Sequence, residues 1–300
     1  MDAGKRRTLG ALAGLALMGR AAARESLHAR TIPSSGETLP VIGIGTWQSF
    51  DVGGDAAARA TLAEVLRLFF AGGGRVVDSS PMYGSSEAVA GDACAALGIC
   101  EPLFMASKVW TSGKAEGIRQ MQRSVERMRA GRMDLMQVHN LLDVETHTGT
   151  LREWKAAKRV RYIGITHYTA SAYAEVERWL KTKQYDFLQI NYSIAESESD
   201  KRLLPLAKDL GVAVIANRPF AEGAMFRRVR GKPLPPWAAE LGIASWAQYF
   251  LKWIVSHPAV TCAIPGTGRP EHMRDNLAGG IGKLPDQAQR ARMAQAYAAL

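Results

Sequence analysis

The sequence predicts an α/β protein with the architecture of a (β/α)8 TIM barrel, and three observations point to it. Eight short runs of apolar and β-branched residues recur along the 300-residue chain. The stretches between them show the spacing of amphipathic helices, and successive runs start roughly 25 to 47 residues apart, as in βα units. Eight such units in roughly 250 residues match the length of a closed barrel of parallel strands.

Each predicted element comes from its own run of residues. Strands are predicted at Ile42–Trp47, Val76–Ser80, Leu103–Val109, Leu135–Asn140, Tyr162–His167, Phe187–Tyr192, Ala213–Asn217 and Val260–Pro265. Helices are predicted at stretches that include Ala56–Phe70, Glu87–Leu97, Glu116–Arg129, Ser171–Leu180, Leu203–Leu210, Ser245–His257 and a terminal helix in Asp286–Leu300. The long gap before the last strand leaves room for an elaborated loop.

A doubly wound open sheet is the competing architecture, and it would place a glycine-rich dinucleotide fingerprint after the first strand. The run Gly43-Ile44-Gly45-Thr46-Trp47 lacks the third glycine of that fingerprint, so the barrel is favoured. Ahead of the first strand, the turn Pro33-Ser34-Ser35-Gly36 within Ile32–Val41 predicts a hairpin that closes the bottom of the barrel. Because no linker interrupts the pattern, residues 24–300 are predicted to form one domain.

Residues 1–23 have the features of an export signal. Lys5-Arg6-Arg7 precedes an uncharged stretch over residues 8–19, and Ala21-Ala22-Ala23 provides a small-residue cleavage site. The uncharged stretch is too short to span a bilayer, which takes about 20 residues. The paired arginines make the leader similar to a twin-arginine signal, so we expect a periplasmic protein with no stable membrane insertion of the mature chain. If the leader is not a signal, the protein is cytoplasmic.

The net charge of +10 suggests an anionic partner, which would be nucleic acid, a membrane surface or a phosphorylated ligand. The leader holds four of the 38 basic residues and one of the 28 acidic residues, which leaves about +7 on the mature chain. The sequence has no basic stripe and no nucleic-acid recognition motif. A phosphorylated cofactor is therefore the favoured partner, and no nucleic acid is expected.

The three cysteines, Cys94, Cys100 and Cys262, lack the spacing of a zinc site, and we predict no metal. Cys94 and Cys100 are near enough in sequence to form one bridge. We nevertheless interpret the cysteines as small buried hydrophobic residues.

Polar residues follow the predicted strands at the carboxyl end of the barrel, where barrel enzymes place their catalytic groups. Asp78 and Lys108 each lie inside a strand-like run, where a charge is costly unless it is paired, so we predict that they pair across adjacent strands. An ammonium near the hydroxyl of Tyr83 would lower the pKa of that group towards the working pH. Such a tyrosine is suited to give a proton to a carbonyl oxygen while hydride reaches the carbon, and His139 would hydrogen-bond the same oxygen. Carbonyl reduction is thus favoured over hydrolysis.

These segments resemble the aldo/keto reductase family over most of the chain. The resemblance is carried by Gly43-Ile44-Gly45-Thr46-Trp47, Val77-Asp78-Ser79-Ser80-Pro81-Met82-Tyr83-Gly84, Ser107-Lys108-Val109-Trp110, Asp134-Leu135-Met136-Gln137-Val138-His139-Asn140, Gln189-Ile190-Asn191-Tyr192 and Ile264-Pro265-Gly266-Thr267. It implies a (β/α)8 barrel that reduces the carbonyl group of a small aldehyde or ketone with a nicotinamide cofactor. The sequence does not determine the oligomeric state, and a monomer is favoured. It also implies that Tyr83 is the general acid, with Lys108, Asp78 and His139 as its catalytic partners.

The resemblance further implies the residues that bind cofactor and substrate. The cofactor set is Thr46, Trp47, Asp78, Thr166, His167, Gln189, Arg218, Pro219, Phe220, Gly266, Thr267, Arg269, His272 and Asn276. The substrate set is Trp47, Tyr83, Trp110 and His139, to which Tyr168 is added as a further lining residue.

Several positions depart from the family pattern. Asn217-Arg218 stands where the family often has a tyrosine that stacks on the nicotinamide, and Thr166-His167 stands in place of Ser-Asn. Gly266 and His272 replace basic residues that often bind the 2′-phosphate, while Arg269 and Arg274 lie nearby, so NADP(H) is favoured over NAD(H). The short tail after Asn276 predicts an open pocket. The departures leave an alternative open, namely a catalytically weak nicotinamide-binding sensor or regulatory subunit.

Overall fold

The computed structural model describes residues 26–300, and the leader interpreted as an export signal lies outside the described residues. Within them, strands and helices alternate along the chain. The elements are β1 (Ala29–Thr31), β2 (Thr38–Pro40), β3 (Ile44–Gly45), α1 (Ala56–Ala71), β4 (Val76–Asp78), α2 (Ser86–Leu97), β5 (Phe104–Val109), α3 (Lys114–Arg127), β6 (Met133–His139), α4 (Val144–Ala156), β7 (Val160–Thr166), α5 (Tyr173–Leu180), β8 (Phe187–Asn191), α6 (Leu203–Asp209), β9 (Ala213–Asn217), α7 (Ala224–Val229), α8 (Trp246–Val255), β10 (Cys262–Ala263), α9 (Pro270–Ala278) and α10 (Gln287–Ala298). Short 3₁₀ helices lie at Ala170–Ala172, Glu198–Lys201, Ala221–Gly223 and Pro236–Leu241.

Strands β3 to β10 form one parallel sheet in which each strand pairs with the next along the chain. The two ends of this sheet meet through a parallel bridge between Ile42 and Ala263. At this closure a Cβ on Gly43 would lie 2.9 Å from the carbonyl oxygen of Val76, so only glycine fits. The predicted (β/α)8 barrel is confirmed.

The hairpin predicted ahead of the barrel is present. Strands β1 and β2 are antiparallel, with Ala29 opposite Pro40. Ile32 and Leu39 from this hairpin are buried in one cluster with inward-facing strand residues such as Phe104 and Phe187. The hairpin therefore closes one end of the barrel with apolar side chains, and this leaves the carboxyl ends of the strands as the open end.

A larger apolar core lies between the sheet and the surrounding helices. Val65, Leu66 and Phe69 of α1 are fully buried in it, as the helical spacing in the sequence indicates. The terminal helix is also confirmed, because α10 begins with a capping box in which Asp286 and Gln289 satisfy each other's backbone N–H groups. Helix α4 was not among the predicted helices. The long segment before β10 contains α7, α8 and two 3₁₀ helices.

Cys94 and Cys100 form a disulfide, so their interpretation as unbridged hydrophobic residues is wrong. Helix α2 ends at Gly98, whose left-handed backbone (φ 67°) turns the chain back on itself. This turn brings the two Cα atoms to 5.0 Å, a separation that suits a bridge. Cys262, in contrast, is a buried free cysteine, as interpreted.

Over residues 26–300 no helix is both long enough and apolar enough to cross a membrane.

Candidate active site

The carboxyl ends of the strands surround an open cavity of about 720 Å³. Because the strands are parallel and paired in chain order, the residues that end them converge at this one end of the barrel. The residues of the predicted sites that line the cavity are Thr46, Trp47, Asp78, Tyr83, Trp110, His139, Thr166, Tyr168, Gln189, Arg218, Pro219, Phe220 and Gly266. Most of the predicted catalytic and binding groups are thus brought together in one place.

Lys108 lies behind this lining and pairs with Asp78. Its ammonium donates hydrogen bonds of 2.6 Å to Oδ2 of Asp78 and of 2.6 Å to the backbone oxygen of Ser79. Burial is the largest single influence and lowers the pKa of Lys108, but Asp78 and Tyr83 together raise it by more, so the ammonium stays charged. The other oxygen of Asp78 accepts hydrogen bonds from Gln189 at 2.8 Å and Gln137 at 3.4 Å. The predicted ion pair therefore forms, and its remaining hydrogen-bonding capacity is filled.

Tyr83 is carried by the turn that follows β4, where its backbone N–H donates to the oxygen of Ser80 at 3.0 Å. The ammonium of Lys108 lies 5.1 Å from the centre of the Tyr83 ring. Burial raises the pKa of Tyr83, Lys108 opposes that rise, and the net shift is upward. This direction is opposite to the one expected from the sequence, because the loss of solvent outweighs the nearby charge. At neutral pH the phenol therefore keeps its proton.

His139 ends β6 and packs edge-on against Tyr83, with 6.0 Å between the ring centres. Its Nδ1 lies 3.0 Å from the hydroxyl oxygen of Ser80. Burial, aided by the positive charge of Lys108, lowers the pKa of His139 to about 2. The imidazole is therefore neutral, and it can bind a carbonyl oxygen only through a ring N–H.

Three buried polar atoms around the cavity have no hydrogen-bond partner in the described part of the chain. They are Oδ1 of Asn140, Oδ1 of Asn217 and Nε of Arg218, and all three residues line the cavity. Unpaired buried polar atoms are costly, so they are typical of places where a polar ligand binds. Two amide acceptors and a guanidinium donor suit the carboxamide and phosphate groups of a nicotinamide dinucleotide.

Arg218 is held by two carboxylates, those of Glu222 and Glu196, which are not among the residues predicted from the sequence. Its Nη1 donates to Glu222 at 2.6 Å and its Nη2 donates to Glu196 at 3.2 Å. The backbone of Arg218 is left-handed (φ 52°), as is that of Glu222 (φ 52°), which lies in the same loop. The loop therefore presents Arg218 to the cavity in a conformation that its own residue types disfavour. No sequence motif at these positions predicts this arrangement.

Five other predicted cofactor residues lie outside the cavity wall. Nδ1 of His167 accepts backbone N–H groups of Tyr168 at 3.0 Å and Thr169 at 3.3 Å, so its ring is folded against its own loop. Burial lowers the pKa of His167, which makes the ring neutral. The others lie around the start of α9 or on that helix: Thr267 and Asn276 are buried, while Arg269 and His272 are exposed.

The cavity also contains apolar residues that the predicted site omits. Met82 is 40% exposed and Phe226 is 37% exposed, and both line the cavity beside Trp47 and Trp110. Exposed large apolar side chains that gather in one concave surface mark a ligand site. Met82 has a signal in the sequence, because it directly precedes Tyr83, whereas Phe226 lies on α7 and has none.

Within residues 26–300 no group of three or more His, Cys, Asp or Glu side chains is arranged to hold a metal ion.

The match of the aldo/keto reductase family model covers residues 41–293, which span every strand of the barrel. The chain belongs to the aldo/keto reductase family. In this aldo/keto reductase the family relationship and the gathering of Asp78, Tyr83, Lys108 and His139 point to the same class of enzyme, an oxidoreductase.

Individual relatives and solved structures agree with this assignment. The chain is similar to methylglyoxal reductase YeaE of Escherichia coli, with 27% identity over 260 residues that cover 84% of this chain and 89% of that protein. A crystal structure of an aldo/keto reductase from Klebsiella pneumoniae in complex with NADP and acetate superimposes with a TM-score of 0.75 at 25% identity, covering 87% of this chain and 93% of that one. Another from the same organism, in complex with NADPH, has a TM-score of 0.74 at 25% identity and covers 92% and 96%.

Proposed function

We propose that this aldo/keto reductase uses NADP(H) to reduce an aldehyde or ketone to an alcohol, with Tyr83 as the general acid. The observation that carries the proposal is the convergence of Tyr83, His139 and the Lys108–Asp78 pair at one open cavity. The two similar structures from Klebsiella pneumoniae, described as complexes with NADP and with NADPH, support the choice of cofactor.

The side chains of the site divide the proton chemistry between them. When bound, the reduced nicotinamide supplies the hydride that goes to the carbonyl carbon. Tyr83 gives its proton to the carbonyl oxygen, so that hydride and proton together yield the alcohol. His139 hydrogen-bonds the same oxygen as negative charge develops on it.

Lys108 and Asp78 support this proton transfer from behind the cavity wall. The charge of Lys108 stabilises the phenolate that Tyr83 becomes after it has given up its proton. Asp78 keeps the ammonium charged and in place. Because the pKa of Tyr83 is raised before the reaction, the proton stays on its hydroxyl group until the negative charge that develops on the carbonyl oxygen draws it away.

The cofactor would be held by groups that differ along its length. Asn140, Asn217, Thr166 and Gln189 surround the part of the cavity suited to the carboxamide, and Arg218 is placed to contact phosphate. Residues around the start of α9, namely Gly266, Thr267, Arg269, His272 and Asn276, are proposed for the adenosine end. Arg269 carries a solvent-exposed positive charge at this end of the site, and such a charge suits the 2′-phosphate that distinguishes NADP(H) from NAD(H).

The substrate would enter between exposed aromatic side chains. Trp47, Trp110 and Tyr168 are 43%, 41% and 45% exposed at the cavity mouth. Such a wide apolar entrance makes few directional contacts with a substrate, so we expect the enzyme to accept a broad range of carbonyl compounds as substrates.

The proposal is tested by titrating the purified protein with NADPH and with NADH while recording tryptophan fluorescence. We expect saturable quenching with a lower dissociation constant for NADPH, followed by NADPH oxidation when reactive aldehydes such as methylglyoxal are added. Tight NADPH binding without turnover across a broad carbonyl panel would contradict the catalytic proposal and would indicate a sensor or regulatory subunit. Absence of binding to either nucleotide would reject both functions.

We propose further that the protein is exported to the periplasm as a folded monomer with its cofactor already bound. The proposal rests on the leader sequence and on the Cys94–Cys100 disulfide, since disulfides persist in oxidising compartments. Cell fractionation should find a shortened chain with NADP(H) bound in the periplasm. A full-length chain confined to the cytoplasm would contradict it.

A further inference from the structure

Ser80 and His139 are in direct contact beneath the cavity floor. The hydroxyl oxygen of Ser80 lies 3.0 Å from Nδ1 of His139, although the residues are 59 positions apart in the sequence. Ser80 is fully buried and His139 is only 6% exposed. Water therefore does not compete for this hydrogen bond, and the serine is the group that decides what Nδ1 does.

The second ring nitrogen of His139 faces a different environment. No hydrogen bond to Nε2 is made by any residue from 26 to 300, and His139 lines the cavity. Nε2 is thus the nitrogen available to a carbonyl oxygen. A neutral imidazole carries one proton, so that nitrogen is either a donor or an acceptor.

The surroundings of Ser80 favour donation by its hydroxyl. Its oxygen receives a long contact of 3.5 Å from the backbone N–H of Met82, within the turn in which the Ser80 carbonyl accepts from Tyr83 at 3.0 Å. A hydroxyl that accepts from a backbone N–H still has its own proton to give. The acceptor within reach of that proton is Nδ1 of His139.

We propose that Ser80 is a positioning residue that donates to Nδ1 of His139 and thereby keeps the single imidazole proton on Nε2, facing the substrate oxygen. In this tautomer His139 offers the substrate a hydrogen-bond donor. In the other tautomer Nε2 would present a lone pair to the carbonyl oxygen, which repels the charge that develops there. The catalytic consequence rests on the proposed carbonyl reduction, whereas the tautomer itself does not.

The tautomer is measured directly by NMR on protein labelled with ¹⁵N-histidine. The chain has six histidines, and the His139→Gln variant identifies the signals of His139. We expect wild type and Ser80→Thr to show a protonated Nε2 and an unprotonated Nδ1. Ser80→Ala should shift His139 towards the Nδ1-protonated form or an exchanging mixture. A protonated Nδ1 in wild type, or an unchanged tautomer in Ser80→Ala, would overturn the proposal.

Kinetics test the consequence for the reaction. Ser80→Ala should lower kcat for carbonyl reduction about 10-fold, the typical effect of losing a group that orients a functional histidine, with the dissociation constant of NADPH unchanged. Ser80→Thr should retain activity. In a double-mutant cycle the Ser80→Ala effect should vanish on a His139→Gln background, because the serine acts through the imidazole.

A matched control separates this role from the loss of any buried hydroxyl. Ser124 is also fully buried, but its hydroxyl donates only to Gln120 within α3. Ser124→Ala should leave kcat and the His139 signals unchanged. Equal losses in Ser124→Ala, or a full Ser80→Ala effect without His139, would contradict positioning through the imidazole. If no carbonyl is reduced at all, the proposed function fails while the NMR result still decides the tautomer.

Discussion

The ammonium of Lys108 and the carboxylate of Asp78 form an ion pair of 2.6 Å in which the side chains are 0% and 3% exposed. Removing two charges from water is costly, and the mutual attraction compensates only when the remaining polar atoms also find partners. Here Gln189 and the backbone of Ser79 supply such partners. Neither member of the pair is therefore expendable while the other remains.

The first prediction follows from this mutual dependence. Lys108→Met leaves the Asp78 carboxylate buried without a counter-charge, which should lower the free energy of unfolding by about 3–5 kcal/mol. The double variant Asp78→Asn with Lys108→Met should lose clearly less of the free energy of unfolding than Lys108→Met alone. Urea denaturation followed by tryptophan fluorescence measures both. Lys114→Met, which breaks an exposed pair with Glu153, is the control and should have little effect. Simple additivity of the two single substitutions would contradict the prediction.

The second prediction concerns the proton donor. Tyr83→Phe removes only the hydroxyl, so kcat for aldehyde reduction should fall by about 10²–10⁴-fold while NADPH binding is retained. Tyr185→Phe is a matched control, because Tyr185 is buried and its hydroxyl contacts Thr148 on the helical side of the barrel. Steady-state rates and fluorescence titration measure the two effects. Wild-type turnover in Tyr83→Phe would rule out the general-acid role.

The third prediction concerns acid stability. The pKa of His139 is lowered from 6.5 to about 2, so between these values the unfolded chain binds a proton that the folded chain does not. Stability therefore falls as the pH falls through this window. At pH 5 the ionisation of His139 lowers the free energy of unfolding by about 2 kcal/mol relative to neutral pH. His139→Gln should remove that part of the pH dependence of the unfolding free energy in urea titrations at pH 7.5 and 5. If the unfolding free energies of wild type and His139→Gln changed in parallel with pH, His139 would not be the source of the acid sensitivity.

The fourth prediction concerns the disulfide. Oxidised, denatured protein should show one reactive thiol, from Cys262, and reduced protein should show three. Replacing Cys94 and Cys100 with alanine should cost about 2 kcal/mol of stability, because the bridge closes only a short loop. Thiol titration and thermal unfolding with and without reductant measure these quantities. The double-alanine variant should be insensitive to reductant, and three reactive thiols in untreated protein would disprove the bridge.

The fifth prediction concerns Arg218. Arg218→Gln should weaken NADPH binding about 10-fold at low salt, since a hydrogen bond from a charged group contributes about 1.5–3 kcal/mol. Glu222→Gln removes one of the two carboxylates that hold the guanidinium, and it should tighten binding. The exposed Arg230→Gln serves as the control and should change nothing. Fluorescence titration with NADPH at several salt concentrations measures these affinities. An unchanged NADPH affinity in Arg218→Gln would exclude a contact between Arg218 and a phosphate of the cofactor.

The barrel and most of its lining are predictable from the sequence. The alternation of apolar and amphipathic runs depends on local spacing, and it predicts the strands that carry Asp78, His139 and Gln189. Strands β3 and β10 are shorter than predicted, because their ends pair only through an isolated bridge where the barrel closes. The loop around Arg218 could not be predicted, because its conformation departs from what its residues prefer in isolation.

The sequence by itself determined the order of the βα units. This order brings Asp78, Lys108 and His139 to one end of the barrel, because parallel strands that pair in chain order direct their carboxyl ends to the same side. Only the tertiary structure decided the features that depend on distance and burial. The contact of Ser80 with His139 and the two carboxylates on Arg218 join residues distant in the chain or held in a strained loop. The upward shift of the Tyr83 pKa arises because the folded chain removes water from the phenol, and no local pattern of residues records how much water is lost.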